Sequence, residues 1–239
     1  VRALAKSREM YALRLKNLHI SGKNARAIIQ IGVPAGLQNA IFQMANLFIQ
    51  TGVNSFSATF VAGNAAAMNE DAIVFSVMMA FYTACGSFMG QNYGAGKKER
   101  IWKSYLYSLA YAFGSGLILG VSMVFFGTFF LRLFTSDPAV IEAGMYRVTF
   151  MGLFFGFSAF MDCTIAASRA IGKSFVPTVI VLLGACVFRI VWIYTIFAYF
   201  RTVPSLYLLY IFSWSITACA EIIYFINIYK KHISPRCPN

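Results

Sequence analysis

Six long apolar runs constrain this chain more than any other feature of its sequence. Each run is at least as long as the roughly 20 apolar residues that a helix needs to cross the hydrocarbon core of a bilayer. The runs cover residues 27–54, 62–90, 102–131, 139–170, 175–199 and 205–229. Because a chain in lipid must satisfy its backbone polar groups internally, the pattern predicts an all-α bundle of six transmembrane helices.

Composition excludes the main soluble classes. Hydrophobic residues make up 59% of the chain and charged residues 12%, whereas a globular domain is about a quarter charged. The net charge of +12 would suggest nucleic acid in a soluble protein, but here the charges cluster between the apolar runs. We therefore expect the lipid bilayer, and no nucleic acid, as a partner. Two histidines far apart in the chain give no support for a dedicated metal site.

The distribution of Lys and Arg predicts the orientation. Sixteen of the twenty lie in the N-terminal segment, in the loops after the second and fourth runs, and in the C-terminal tail. Arg132, Arg147 and Arg201 are assigned to the opposite side. By the positive-inside rule, this asymmetry places both termini in the cytoplasm and the bundle in the cytoplasmic membrane.

The same pattern divides the chain into three parts. Residues 1–26 are basic and lack the pattern of a cleavable signal, which favours either an amphipathic helix on the inner leaflet or a solvated linker. Residues 27–229 form the transmembrane bundle. Residues 230–239 form a cytoplasmic tail.

Polar amides mark one face of the first run. Asn39, Gln43, Asn46 and Gln50 follow one another by four, three and four residues, which places them on one side of a helix. Amides facing lipid would lack hydrogen-bond partners, so this face is expected to border a water-filled cavity or a polar packing seam. Asn69, at the head of a small and polar stripe on the second run, is grouped with them as a candidate binding residue.

Proline and glycine indicate bending and close packing. Pro34 removes a backbone donor near the cytoplasmic end of the first run, which predicts either a hinge for a moving helix or a static bend. Glycines repeat at four-residue spacing in the third run, at Gly116 and Gly120, and in the fourth, at Gly152 and Gly156. Such stripes are typical of helix-helix contacts and indicate packing rather than chemistry.

Ionisable residues inside the apolar runs are functional candidates, because each costs several kcal/mol unless it is paired or hydrated. At about 1.5 Å per residue, Arg189 lies roughly 21 Å from the start of its run, near the depth of Glu70 and Asp71. We therefore predict that Arg189 forms a structural ion pair with one of these two acids.

Asp162 and Glu221 lie at similar depths, about 10 and 13 Å from the cytoplasmic ends of their runs. They are candidates to bind a proton, a sodium ion or a cationic substrate. For Glu221 a structural role is an equal alternative, because Ser213 and Thr217 precede it at four-residue spacing and offer hydroxyl partners. No nucleophile with a neighbouring base and no phosphate-binding loop supports an enzyme.

Several stretches together resemble the multidrug and toxic compound extrusion (MATE) family. They are IGVPAG at 31–36, VAGNAAAMN at 61–69, GQNYGAGKK at 90–98, the turn at 169–172 and VFRIVW at 187–192. The resemblance covers the chain nearly from residue 27 to residue 229. It implies the C-terminal six-helix lobe of a twelve-helix antiporter, which pairs with an N-terminal lobe and exports organic cations or other amphipathic compounds in exchange for protons or sodium.

Two departures from the family leave the coupling ion open. Some members carry an acid near the positions of Phe42 and Gln43, where this chain has none, and Asp162 is nearer the turn at 169–172 than the ion-linked acid of some members. No cofactor other than the coupling ion is implied. Flippases for lipid-linked saccharides, which share the architecture, and a non-transporting assembly fragment are the alternatives.

Overall fold

The computed structural model describes residues 21–233 as six long helical elements. The interfacial helix or linker predicted over residues 1–26 lies almost entirely outside the described residues, as does most of the predicted tail. The helices are α1 (Gly22–Val53), α2 (Ala58–Gly94), α3 (Lys98–Leu131), α4 (Pro138–Ala170), α5 (Phe175–Phe200) and α6 (Val203–Ile228), the last continued by a π-helical turn at Tyr229–Ile233. The described part of the chain contains no strand. The predicted all-α bundle is confirmed.

Five of the six helices, α2 to α6, are long and apolar enough to cross a membrane. Helix α1 has 32 residues, which is sufficient length, but its row of amides makes it less apolar than the others. Large apolar side chains on the outside of the bundle remain exposed, among them Phe125 at 79% and Tyr199 at 83%. Such a surface is stable in lipid and unstable in water, so the chain is a multi-pass membrane protein.

Local sequence fixes several of the helix ends. The carboxylate of Asp137 accepts a hydrogen bond from the backbone N–H of Ala139 at 2.9 Å, and Pro138 follows as the first residue of α4. At the start of α6, Thr202 and Ser205 form a reciprocal capping box. Gly172, with a φ of 79°, makes the left-handed turn between α4 and α5.

Helix α4 is the centre of the bundle and packs against α2, α3 and α6. The predicted glycine seams lie in these contacts. A Cβ atom on Gly120 would collide with the backbone carbonyl of Gly152, and one on Gly116 would lie 3.2 Å from the Cα atom of Gly156. The assignment of these glycines to helix packing is confirmed.

Helix α1 lies on the other side of the bundle, mainly against α5. It makes few contacts with α2 and α6, so a gap opens between α1 and the α2–α4 layer. Helix α5 is itself irregular, since π-helical segments at Leu182–Val187 and Ile193–Phe197 flank a short α-helical stretch at Phe188–Trp192. The sequence predicted one regular helix there. Short π-helical segments often occur at functional sites.

Candidate functional site

A cavity of about 500 Å³ fills the gap between α1 and the rest of the bundle. Its volume lies within the usual range for small-molecule sites, about 300 to 1,000 Å³. Five helices, all except α3, supply its lining. The lining residues are Gln38, Asn39, Phe42, Gln43, Asn46, Ile49, Gln50, Val53, Asn64, Met68, Asp71, Ala72, Phe75, Arg147, Met151, Phe155, Ser158, Met161, Asp162, Ile165, Val181, Arg189, Tyr210 and Trp214.

The amide face of α1 forms one wall of this cavity. Asn39, Gln43, Asn46 and Gln50 all line it. Asn39 and Gln43 are exposed, so the cavity is open along that edge. The Nδ2 atom of Asn46 donates a hydrogen bond to Oε1 of Gln43 at 3.3 Å, and Gln50 donates to Asn54 at 2.8 Å. These contacts leave further donors and acceptors of the wall available to a solute.

Asp162 is the candidate acid that reaches the cavity from the central helix. It lies on the same face of α4 as Ser158, which also lines the cavity. Its Oδ2 atom is buried and has no hydrogen-bond partner among the described residues. A buried oxygen without a partner calls for a physical explanation, and a proton or an ion bound by the carboxylate would provide one.

Glu221 and Glu70 do not line the cavity. Both are fully buried, at 0% and 1% exposure, and neither carboxylate has a hydrogen-bond partner among the described residues. The hydroxyl partners predicted for Glu221 are wrong. Thr217 donates instead to the carbonyl of Ser213, and Ser213 donates to the carbonyl of Gly184 on α5.

The predicted ion pair between Arg189 and Glu70 or Asp71 is also wrong. The cation that pairs with Asp71 is Arg147, whose Nε lies 2.6 Å from Oδ2 of Asp71. Helices α2 and α4 are in direct contact, since a Cβ atom on Gly63 would lie 2.6 Å from the backbone nitrogen of Gly144. Depth along each helix predicted the wrong partner because it does not say which helices are neighbours.

Arg147 is therefore a buried residue of the bundle, with 6% exposure, although the charge distribution had assigned it to the side of the membrane opposite the termini. Its Nη1 donates to Oδ1 of Asn64 at 3.0 Å, and the hydroxyl of Tyr207 donates to the same oxygen at 3.0 Å. Sequence reasoning missed Asn64, Arg147 and Tyr207. One signal for Arg147 was available in the sequence. It lies nine residues beyond Pro138, or roughly 14 Å along the helix, which places it well inside the fourth apolar run rather than at its end.

Arg189 contacts different elements from those predicted. Its Nε donates to Oγ of Ser213 on α6 at 3.0 Å. Its guanidinium carbon lies 4.9 Å from the ring centroid of Phe42 on α1 and 4.9 Å from that of Tyr210 on α6. Arg189 is 1% exposed and lines the cavity.

Two further candidates lie outside the cavity lining. Asn69 donates to the carbonyls of Ala65 and Ala66 in its own helix, at 3.2 and 3.3 Å.

Pro34 lies within α1, which continues through it as one helix. Beyond Pro34, Gln38 accepts a hydrogen bond from Nη2 of Arg169 at 2.6 Å, which joins α1 to the end of α4. The hinge role of Pro34 stays a prediction.

Comparison with known proteins identifies the family of this chain. The family model described as MatE matches residues 34–195. Among curated proteins, the chain is 29% identical over 130 residues to the probable multidrug resistance protein YpnP of Bacillus subtilis, covering 54% of the chain and 29% of that protein. It is 24% identical over 203 residues to the probable multidrug resistance protein NorM of Thermotoga maritima, covering 81% of the chain and 42% of that protein.

A third relative differs in its cargo. The chain is 29% identical over 119 residues to the FAD transporter of Shewanella oneidensis, covering 50% of the chain and 26% of that protein.

Among solved structures, an outward-facing multidrug resistance MATE transporter of the MOP superfamily matches with a TM-score of 0.83 at 19% identity. That match covers 94% of this chain and 51% of the transporter. The chain thus spans about half the length of the solved structure and less than half of each curated relative.

Proposed function

The chain belongs to the MatE family, and on this premise we propose that it is the C-terminal lobe of an ion-coupled efflux antiporter for organic cations or other amphipathic compounds. The observation that carries the proposal is the cavity beside α1, which is lined both by the amides of α1 and by Asp162 of α4. A partly open cavity that carries polar and charged groups within an otherwise apolar bundle is what a substrate site in a membrane transporter requires.

The partner that we propose is an N-terminal six-helix lobe. Support comes from the solved MATE transporter, of which this chain matches 51%. The cavity is open at Asn39 and Gln43, on the side where α1 has few contacts within the chain. A second lobe placed against this opening would complete the cavity, and rocking of the two lobes would expose it to either side of the membrane in turn.

Asp162 is the proposed site of coupling to a proton or sodium gradient. Its carboxylate combines a cavity position with an oxygen that has no hydrogen-bond partner among the described residues. Binding of the ion and binding of the substrate would then compete for one cavity. We further propose that both termini face the cytoplasm, on the support of the Lys and Arg asymmetry.

Transport in proteoliposomes tests the coupling. The Asp162→Asn variant should lose gradient-driven transport of a fluorescent organic cation while its fold is retained. Glu99→Gln is the matched control, because Glu99 is an exposed acid at the start of α3, and it should transport normally. Normal transport by Asp162→Asn would overturn the role of this carboxylate.

A flippase for lipid-linked saccharides is the alternative function. The curated relatives of this chain are named for different cargoes, and one of them is named as an FAD transporter. Export of the organic cation by the wild-type protein, with no translocation of a lipid-linked saccharide in the same vesicles, supports the antiporter. The reverse result would favour the flippase.

A further inference from the structure

Arg189 carries an unused hydrogen-bond donor deep inside the cavity-forming part of the bundle. Nη2 of its guanidinium is buried and has no partner among the described residues. Within residues 21–233, no carboxylate oxygen lies within 4 Å of a nitrogen of Arg189. An arginine in this state is costly inside a membrane, and such residues mark sites of ion or substrate contact.

The direct contacts of Arg189 include no carboxylate among the described residues, and Asp162, which lines the same cavity, interacts with its charge only from a longer distance. The Phe42 and Tyr210 rings attract the cation through their π electrons but accept none of its N–H hydrogen bonds in the usual geometry. The hydroxyl of Ser213 takes the Nε donor. These three neighbours hold the guanidinium in place, while part of its donor edge remains available.

The other arginine of the cavity contrasts with Arg189. Arg147 is neutralised by Asp71 at 2.6 Å and bonded to Asn64 at 3.0 Å. Arg189 has no carboxylate within 4 Å among the described residues, and Asp162 acts on its charge only from a longer distance, so an incoming anionic group could contact its guanidinium directly. A planar guanidinium with free donors matches carboxylate, sulfonate and phosphate oxygens.

The surroundings of Arg189 also favour an aromatic ligand body. Phe42, Phe75, Phe155, Tyr210 and Trp214 all line the same cavity. The short α-helical stretch that carries Arg189 lies between two π-helical segments of α5, an irregularity that recurs at functional sites.

We propose that Arg189 is the anion-binding residue of this cavity, and that its ligands are aromatic molecules bearing a carboxylate, sulfonate or phosphate group. The inference rests on the proposed export function and narrows its substrate class to acidic or zwitterionic amphipathic compounds. In a zwitterion the anionic group lies at Arg189 and the cationic group on the side of Asp162. Binding, rather than transport, is the property that tests the residue.

The experiment uses the protein expressed from its complete gene and held in phosphatidylcholine nanodiscs. Isothermal titration compares three probes with one aromatic body: 2-naphthoate, 2-naphthylmethanol and 2-naphthylmethylammonium. We expect wild-type protein to bind naphthoate about tenfold more tightly than the alcohol, as one charged hydrogen bond provides. Arg189→Met should bind the alcohol as wild type does and lose the preference for naphthoate. Arg132→Met, which removes an exposed arginine outside the cavity, should change none of the three affinities.

Equal affinity of the wild-type protein for naphthoate and the alcohol would overturn the proposal. An equal loss of affinity for all three probes in Arg189→Met would also overturn it. If Arg189→Met does not fold, Arg189→Gln is used in its place, because glutamine keeps a hydrogen-bond donor for Ser213 without the charge. We expect Arg189→Gln to lose the preference for naphthoate. If it keeps that preference, the proposal for Arg189 is wrong. If neither variant folds, the relative affinities of the wild-type protein for the three probes test the proposal.

Two further measurements test whether a lipid headgroup occupies the site and whether the site depends on Asp162. Nanodiscs with added phosphatidylglycerol test the lipid headgroup as the occupant, and loss of naphthoate binding there would overturn the small-molecule assignment. Asp162→Asn should keep the preference for naphthoate. If that variant also transports normally, the proposed coupling fails while the anion site stands, so the two failures are distinguishable.

Discussion

Arg147 on α4 and Asp71 on α2 form an ion pair in which Nε and Oδ2 lie 2.6 Å apart. The pair joins the central helix to its neighbour beside the cavity that both residues line. Asn64 accepts a further hydrogen bond from the same guanidinium. The pair thus fixes two walls of the candidate site relative to each other.

Replacing only one partner of this ion pair should destabilise the protein. Arg147→Met leaves the Asp71 carboxylate without its cation, at a cost of about 3 kcal/mol, the low end for buried pairs. Thermal unfolding in detergent should show a lower midpoint for Arg147→Met than for wild type. The double variant Arg147→Met with Asp71→Asn should be more stable than Arg147→Met alone, because no unpaired charge remains.

Arg132→Met is the control for this prediction, since Arg132 is exposed at the end of α3. It should unfold at the wild-type temperature. A double variant no more stable than Arg147→Met alone would show that the pair does not act as a unit.

The glycine contact between α3 and α4 should not tolerate a methyl group. Gly120→Ala places a Cβ atom against the carbonyl of Gly152, so the helices must separate, with an expected loss of about 1 to 3 kcal/mol. Gly114→Ala in the same helix is the matched control, because nothing lies within 4 Å of its added Cβ. Thermal unfolding should separate the two variants, and equal stability would mean that the helices adjust freely at Gly120.

The hydrogen bond from Arg169 to Gln38 should restrain α1. Gln38→Ala removes a charge-assisted bond of 2.6 Å, so amide hydrogen exchange in α1 should accelerate, by about tenfold for one such bond. Gln30→Ala, at an exposed position of the same helix, should leave exchange unchanged. Identical rates of amide hydrogen exchange in the two variants would show that the hydrogen bond from Arg169 does not restrain α1.

The amide wall should contribute to substrate affinity. Asn46→Leu replaces a cavity amide with an apolar group of similar size, so the KM for a transported compound should rise several-fold as one hydrogen bond is lost. Leu47→Ala, at a side chain that is 69% exposed on α1, serves as the control and should keep the wild-type KM. The measurement is transport rate against substrate concentration in proteoliposomes. An unchanged KM in Asn46→Leu would exclude this amide from substrate contact.

Several features of the site follow directly from local sequence. The spacing of Asn39, Gln43 and Asn46 predicted a shared polar face, and the structure places all three on one cavity wall. The glycines of α3 and α4 predicted a close contact, which they form. Both predictions depend on the helical repeat alone, which is a local property.

Other features were not accessible in this way. Arg189 was predicted to contact α2, and instead it contacts α1 and α6. Glu221 and Asp162, predicted at similar depths, differ in that Asp162 alone of the two lines the cavity. Depth in the membrane is readable from chain position, but rotation about the helix axis relative to neighbouring helices is not.

Hydropathy and helical spacing act within single segments, so the order of residues was sufficient to specify membrane-crossing helices, the first of which has a polar face. The pairing of Asp71 with Arg147, rather than with Arg189, depends instead on how the helices pack against one another. An ion pair depends on distances between side chains of different helices, and these distances are set by which helices are adjacent and how closely the glycine contacts let them approach.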